Sequence, residues 1–258
     1  MTVLAADGLG VRAADGTALL DGVSLAVARG ETVLVCGRPG SGKTLLAKAL
    51  RGLLDDRRDL TVRGTVTHEG DVGFVFQRPA TQLVRRVVRS DVAFGLENRG
   101  VHPTDIEERI DRYARVLDAE GLLDREVRDL SGGETAIVAL LGSLVTEPEV
   151  LVLDEPVATL DAPNARLVLD AIDRLRGTGT AVVVAEHDVR DLLGRADRVV
   201  LLAGGRVVTE GPPADCLEDL RTAGVRLPVA TAVALARRDA GEAVPVPLAD
   251  ARVEVEVP

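Results

Sequence analysis

Apolar positions recur along the chain at two spacings. Over the first 36 residues, short apolar runs alternate with glycine-bearing turns and end in "ETVLVC", which predicts several short strands. Residues 43–53, "KTLLAKALRGL", carry apolar side chains three and four apart. A strand, a glycine-rich loop and a helix therefore follow one another. "TVRGTVTHEGDVGFVFQ" returns to the strand pattern, and from about residue 82 to 147 the period is mostly helical, with N-caps expected at Thr104 and Ser131. "EVLVLDE" is an unbroken apolar run of the kind buried on both faces of a parallel sheet. After it come a helix ("APNARLVLDAIDRLRG"), a strand ("TAVVVAEH"), a short helix ("DVRDLLGRA") and two strands ("DRVVLLAGGRVVTEG"). This alternation predicts an α/β fold. Beyond Gly224 one amphipathic helix, "PVATAVALARRDAG", precedes a proline-punctuated tail whose last residues, "ARVEVEVP", alternate like a strand.

Composition narrows the class. A chain of 258 residues fits one large domain with an appendage, or two small domains. Aromatic residues are 2% of the chain, so Leu, Val and Ala supply the core and stacking platforms for nucleic-acid bases are not expected. The net charge of −10 argues in the same direction, against a phosphate-backbone footprint. Lysine occurs only at Lys43 and Lys48, a balance similar to that of proteins from high-salt cytoplasms. Cys36 and Cys216 are too far apart in sequence to suggest a zinc site or a disulfide framework, so a reducing compartment is expected. No signal peptide and no uninterrupted run of 18 apolar residues is seen, so the chain is not expected to cross a membrane itself.

Chemistry concentrates at the ends of the apolar strands. "GRPGSGKT", comprising Gly37, Arg38, Pro39, Gly40, Ser41, Gly42, Lys43 and Thr44, satisfies G-x-x-x-x-G-K-[ST] between a strand and a helix. Its glycines let backbone N–H groups approach phosphate oxygens, Lys43 reaches the β and γ phosphates, and the Thr44 hydroxyl is offered to Mg²⁺. "VLVLDE" ends in two carboxylates at the sheet edge where α/β folds bind ligands. Asp154 suits a Mg²⁺ ligand, and Glu155 suits the general base for an attacking water. Gln77 and His187 each close a further apolar strand and gain meaning only if those strands share the sheet. "LSGGE" at 130–134 has the Ser131 to Glu134 spacing of a capping box, yet Gly132 and Gly133 are poor helix formers, so bare backbone is required there for another reason.

With these residues in place the chain resembles the ATP-binding-cassette (ABC) ATPases. The phosphate loop, Gln77 as Q-loop, "LSGGE" as signature, "VLVLDE" as Walker B, "ATLD" ending at Asp161 as D-loop, and His187 as switch histidine occur in the family's order. The resemblance implies a P-loop NTPase core sheet with an N-terminal antiparallel β subdomain and a helical signature subdomain at about 82–147. It implies a nucleotide-binding domain over 1–224 and a small C-terminal extension, 225–258, with a possible dimerisation helix. It also implies two cassettes sandwiching ATP and Mg²⁺, with Thr44, Gln77 and Asp154 serving the metal and Glu155 and His187 catalytic. Ser131, Gly132, Gly133 and Asp161 would complete the nucleotide site of the partner.

A narrower resemblance lies in "FVFQRPATQL", "SDVAFGLENRGV" and "GVRLPVATAVALARR", which look like the ATPase subunits of energy-coupling-factor (ECF) transporters. This implies a peripheral subunit at the cytoplasmic face of the membrane that energises import of a vitamin or transition-metal ion. It would pair with a second ABC ATPase as homodimer or heterodimer, and meet integral membrane transporter subunits through the segment after Gln77. Nucleic acid is not an expected partner. A soluble non-transport cassette and a regulatory subunit with weak turnover are the alternative readings. Several positions depart from the family, among them Ala136 and Ile137, where polar residues including an arginine often follow the signature. Ala13 stands where many cassettes stack adenine on an aromatic ring, and Glu134 replaces the usual glutamine. A carboxylate about 7 Å from a phosphate charge would cost roughly 2 kcal/mol at an effective dielectric near 20, which is tolerable if its side chain points away and otherwise implies reduced turnover at that site.

Overall fold

The computed structural model describes residues 1–250. In chain order the first elements are β1 (Thr2–Ala13), β2 (Ala18–Ala28), β3 (Thr32–Cys36), α1 (Lys43–Leu50), β4 (Leu60–His68) and β5 (Val72–Val75). Then follow α2 (Val88–Asn98), α3 (Pro103–Leu117), α4 (Gly132–Leu144), β6 (Val150–Asp154), α5 (Ala162–Arg174) and β7 (Ala181–Glu186). The chain continues through β8 (Arg198–Ala203), β9 (Arg206–Gly211), α6 (Leu217–Thr222) and α7 (Val229–Asp239).

Two sheets form. β1 pairs antiparallel with β2 and with β4, giving an N-terminal three-stranded sheet. The second sheet has the order β5-β6-β7-β3-β8-β9 and is parallel except for the edge strand β9. Every residue of β3, β6 and β7 is buried, which is why these segments read as unbroken apolar runs. Alternation still operates within them. Leu34, Leu151, Leu153, Val182 and Val184 join one apolar cluster, which continues into α2 to α5 through Val92, Ile110, Leu141 and Leu169. Val33, Val35, Val150, Val152 and Val183 join a second, with Leu46 and Leu50 of α1 and Val11 and Leu25 of the three-stranded sheet. The parallel sheet thus separates two cores. Its carboxyl edge carries the ends of four neighbouring strands, β5, β6, β7 and β3.

The expected α/β architecture is present, with local differences. The strand pattern of 61–77 is two strands in two sheets, the largely exposed β4 and the fully buried β5. Glu69–Asp71 joins them, with Gly70 at φ +61°. The cap of α3 is His102, whose side chain accepts from the Thr104 N–H, and not Thr104 itself. Pro103 at the first helical position explains the shift, because its fixed φ and missing N–H suit that position. A 3₁₀ turn, Pro79–Thr81, follows the Q-loop, and α-helix begins only at Val88. Residues 83–87 stay outside the helix, and the Asp91 carboxylate accepts the N–H groups of Val84 (2.6 Å) and Arg85 (2.7 Å). "DVRDLLGRA" forms a single 3₁₀ turn, Leu193–Arg195, after a start in which the Asp188 carboxylate accepts the Arg190 N–H at 3.3 Å.

The amphipathic helix beyond Gly224 is α7, which buries Thr231, Ala234 and Leu235. The chain after it returns along α7 to that helix's first turn: the Thr231 hydroxyl donates to the Pro247 carbonyl, and the Ala230 N–H to Asp250 Oδ1 at 2.7 Å. The strand-like alternation expected for "ARVEVEVP" lies outside the described residues. Among the described residues no helix is long and apolar enough to cross a membrane.

Candidate functional site

The loop between β3 and α1 is shaped by backbone that only glycine supplies. Gly37 has φ +151°, and a Cβ there would stand 2.1 Å from the Leu202 carbonyl oxygen. Gly42, at φ +104°, caps α1, and a Cβ would meet a Leu20 methyl at 2.7 Å. The chain can therefore turn tightly into α1 and present that helix's N-terminal N–H groups. Lys43 is 4% exposed and spans the loop, its Nζ donating to the carbonyls of Gly37 (2.9 Å) and Arg38 (3.1 Å). Burial pushes the Lys43 ammonium below its ordinary value, opposed by Glu155 and Glu186. Ser41 Oγ is buried and has no hydrogen-bond partner among the described residues. Buried polar atoms are rarely left so, and a phosphate oxygen would satisfy it.

The neighbouring strand ends supply the remaining groups. Asp154, buried at the end of β6, accepts the Thr44 hydroxyl at 2.8 Å. Burial raises its pKa, against the Thr44 hydrogen bond, which lowers it. Thr44 and Asp154, joined by that bond, and Gln77, held at the same edge through Glu155, can each offer an oxygen, the donor chemistry that Mg²⁺ takes. Glu155 adopts φ +49°, uncommon for a non-glycine residue, and its N–H donates to the Ala185 carbonyl of β7 at 2.8 Å. Its carboxylate accepts Gln77 Nε2 at 2.6 Å and lies 3.6 Å from His187 Nδ1. Lys43, Thr44, Gln77, Asp154, Glu155 and His187 are thus gathered at one sheet edge.

Gln77 is set by a second glutamine. Gln82 Oε1 accepts the Phe76 N–H (2.8 Å) and its Nε2 donates to the Phe74 carbonyl (3.0 Å), which braces the exit from β5.

Ser131, Gly132, Gly133 and Asp161 form a separate group. Ser131 caps α4 in the expected box: its Oγ accepts the Glu134 N–H at 3.2 Å, while Glu134 accepts the Ser131 N–H at 2.7 Å. A Cβ on Gly133 would lie 2.4 Å from Asn164 Oδ1, and one on Gly132 would lie 3.3 Å from a Leu160 methyl. Asp161 caps α5, accepting the Asn164 N–H at 3.0 Å. The signature and the D-loop therefore pack on each other, and Gly133 has an intrachain reason to be glycine. No hydrogen bond joins this group to residues 37–44 among the described residues. Glu134 is turned into its own chain, where the Ser131 N–H and then Arg125 hold its carboxyl below the ordinary range. Ala13 lies at the β1–β2 turn, its N–H donating to the Thr17 carbonyl at 2.9 Å.

Three residues of this region carry no motif signal. Arg125 pairs with Glu134 and Asn164 fills the gap over Gly133. Glu186, the last residue of β7, is 1% exposed and touches His187. Only its place beside a histidine at an apolar strand end could have drawn attention to it.

A family model described as ABC transporter matches residues 20–158. A putative ABC transporter ATP-binding protein of Halobacterium salinarum is 43% identical over 219 residues, 82% of this chain and 94% of that protein. The energy-coupling factor transporter ATP-binding protein EcfA1 of Bacillus subtilis is 38% identical over 221 residues, covering 81% of this chain and 78% of its own. The corresponding EcfA of Methanosarcina acetivorans is 36% identical over 242 residues, 90% and 88% of the two chains. Among solved structures, cbiO1 of Clostridium perfringens, part of the ABC transporter complex cbiONQ, superposes with a TM-score of 0.74 at 28% identity. That match covers 86% of this chain and 95% of cbiO1.

Proposed function

The chain belongs to the ABC transporter family, and on that premise we propose that it is the ATP-binding, ATP-hydrolysing subunit that energises an energy-coupling-factor type importer of a vitamin or transition-metal ion. The observation that carries the reading is the strand edge where a phosphate loop with an unpartnered buried Ser41 hydroxyl faces Asp154, Glu155, Gln77 and His187. Lys43 and the loop amides hold the phosphates. Thr44, Asp154 and Gln77 would hold Mg²⁺, which when bound offsets the charge of the β and γ phosphates. Glu155 takes a proton from the attacking water, Gln77 holds the Glu155 carboxylate through its amide, and His187 contacts the γ-phosphate.

Residues 1–224 form the nucleotide-binding domain, with 82–147 as its helical part, and 225–258 the extension. The molecule works at the cytoplasmic membrane face, paired with a second ABC ATPase. Ser131, Gly132, Gly133 and Asp161 serve the site of that partner. The segment after Gln77, where Val84 is 62% exposed, meets the integral membrane subunits.

Purification of the chain from solubilised membranes tests this. Integral membrane proteins are expected to accompany it in fixed ratio. If none does, the transport reading fails and a soluble cassette takes its place.

A further inference from the structure

Burying a carboxylate with an oxygen unpaired costs stability, so a fold does not keep one for packing alone. Glu186 is such a group. It falls on the same face of β7 as Val182 and Val184, beside Cys36 of β3, where alternation would otherwise place an apolar side chain. Its Oε2 has no hydrogen-bond partner among the described residues. Its Oε1 accepts the backbone N–H of His187 at 2.8 Å and that of Asp188 at 3.4 Å, and lies 2.8 Å from His187 Nδ1.

A carboxylate oxygen offers only lone pairs, and two acceptors do not approach to 2.8 Å, so Nδ1 is the protonated nitrogen of the neutral ring. The other ring nitrogen, Nε2, makes no hydrogen bond among the described residues. The imidazole is thereby held by one nitrogen and left with the other available.

We propose that Glu186 is a positioning residue for the ATPase reaction: it holds His187 Nδ1–H, so that tautomer and ring orientation are set and Nε2 is the nitrogen presented to the γ-phosphate. This rests on the reading of His187 given above. Glu155 does not replace Glu186 in the role, because its nearest oxygen is 3.6 Å from Nδ1 and its other oxygen is taken by Gln77. Asp188 does not either, since its carboxylate is paired with Arg190 at 2.6 Å. For metal-ligating histidines, removing the partner of the second ring nitrogen typically costs 10- to 100-fold, and a loss of that order is expected here.

The test uses the full chain labelled with ¹⁵N-histidine and a steady-state ATPase assay. The chain has only three histidines, so His187→Gln locates the resonances of interest. In the native protein at alkaline pH the neutral His187 ring is expected as the Nδ1–H tautomer. Glu186→Ala is expected to move it toward Nε2–H and to lower kcat by about 10- to 100-fold, with KM for ATP changed less than about twofold. Glu186→Gln keeps a carbonyl acceptor in place and is expected to retain the tautomer and most of the turnover. Should the alanine variant not fold, Glu186→Asp, which withdraws the carboxylate by one methylene, carries the same expectation. An unmoved tautomer or unchanged kcat in the alanine or aspartate variant overturns the proposal, as does a glutamine variant that falls as far. Glu155→Gln run alongside checks the functional reading separately: it should bind ATP and lose about 10²- to 10⁴-fold in turnover.

Discussion

Each glycine of the signature meets a neighbour in its own chain. Gly133 lies so close to Asn164 that a methyl group cannot be added without moving one of them. Gly133→Ala is therefore expected to destabilise the chain by about 1–3 kcal/mol, the usual cost of overpacking, and Asn164→Gly, which also removes the Cβ that would stand 2.8 Å away, to restore much of it by opening the space. Urea unfolding of the single and double variants measures this. If the glycine also serves a phosphate of the partner, the double variant recovers stability without recovering ATPase activity; full recovery of both leaves packing as its whole role. Glu134 illustrates the same lesson with charge. Its carboxylate completes a capping box and meets Arg125, so the replacement of the usual glutamine brings its own compensation within the chain.

At the level of elements, the two sheets are joined where β2 passes into β3. Glu31, in that connection, accepts the Ala28 N–H at 2.8 Å and Arg198 Nε of β8 at 2.6 Å. Burial alone would raise the Glu31 pKa, but the hydrogen bonds from Arg198 and Ala28 outweigh it and hold the carboxyl below its ordinary value. A depressed carboxyl pKa adds stability above the unfolded value, and that contribution is lost as pH falls through the folded one. Glu31→Gln is accordingly expected to cost on the order of 1–3 kcal/mol at pH 7. The gap from the native chain should close as pH drops below about 4. Urea midpoints across pH 3–7 read this, and a gap that stays constant would remove the ion pair as its cause.

Across the whole molecule, 41 acidic residues face 31 arginines and lysines. Surface ion pairs are many, such as Arg29–Glu149 and Arg89–Glu107, but exposed pairs contribute only about 0–1 kcal/mol each. Repulsion among the excess carboxylates acts over longer distances, and raising salt from 0.1 M to 1 M shortens its reach from about 10 Å to about 3 Å. The melting temperature is therefore expected to rise with KCl, by about 2–4 °C for each kcal/mol of repulsion removed. Thermal scans over that range check it, and a flat or falling midpoint would show that the pairs outweigh the net charge.

The division between sequence and tertiary structure is clearest at this scale. Strands β3, β6 and β7, the phosphate loop and the order of the motifs were legible in the sequence, because unbroken apolar runs, obligatory glycines and capping residues act through local backbone physics. The sequence could not order the strands, and only that order, β5-β6-β7-β3, brings Gln77, Glu155, His187 and Lys43 to one edge. Nor could it separate β4 from β5 or place Glu186, since side chains distant in sequence decide which face of a strand is covered. Local periodicity sets what each segment becomes, whereas long-range packing decides what each residue meets.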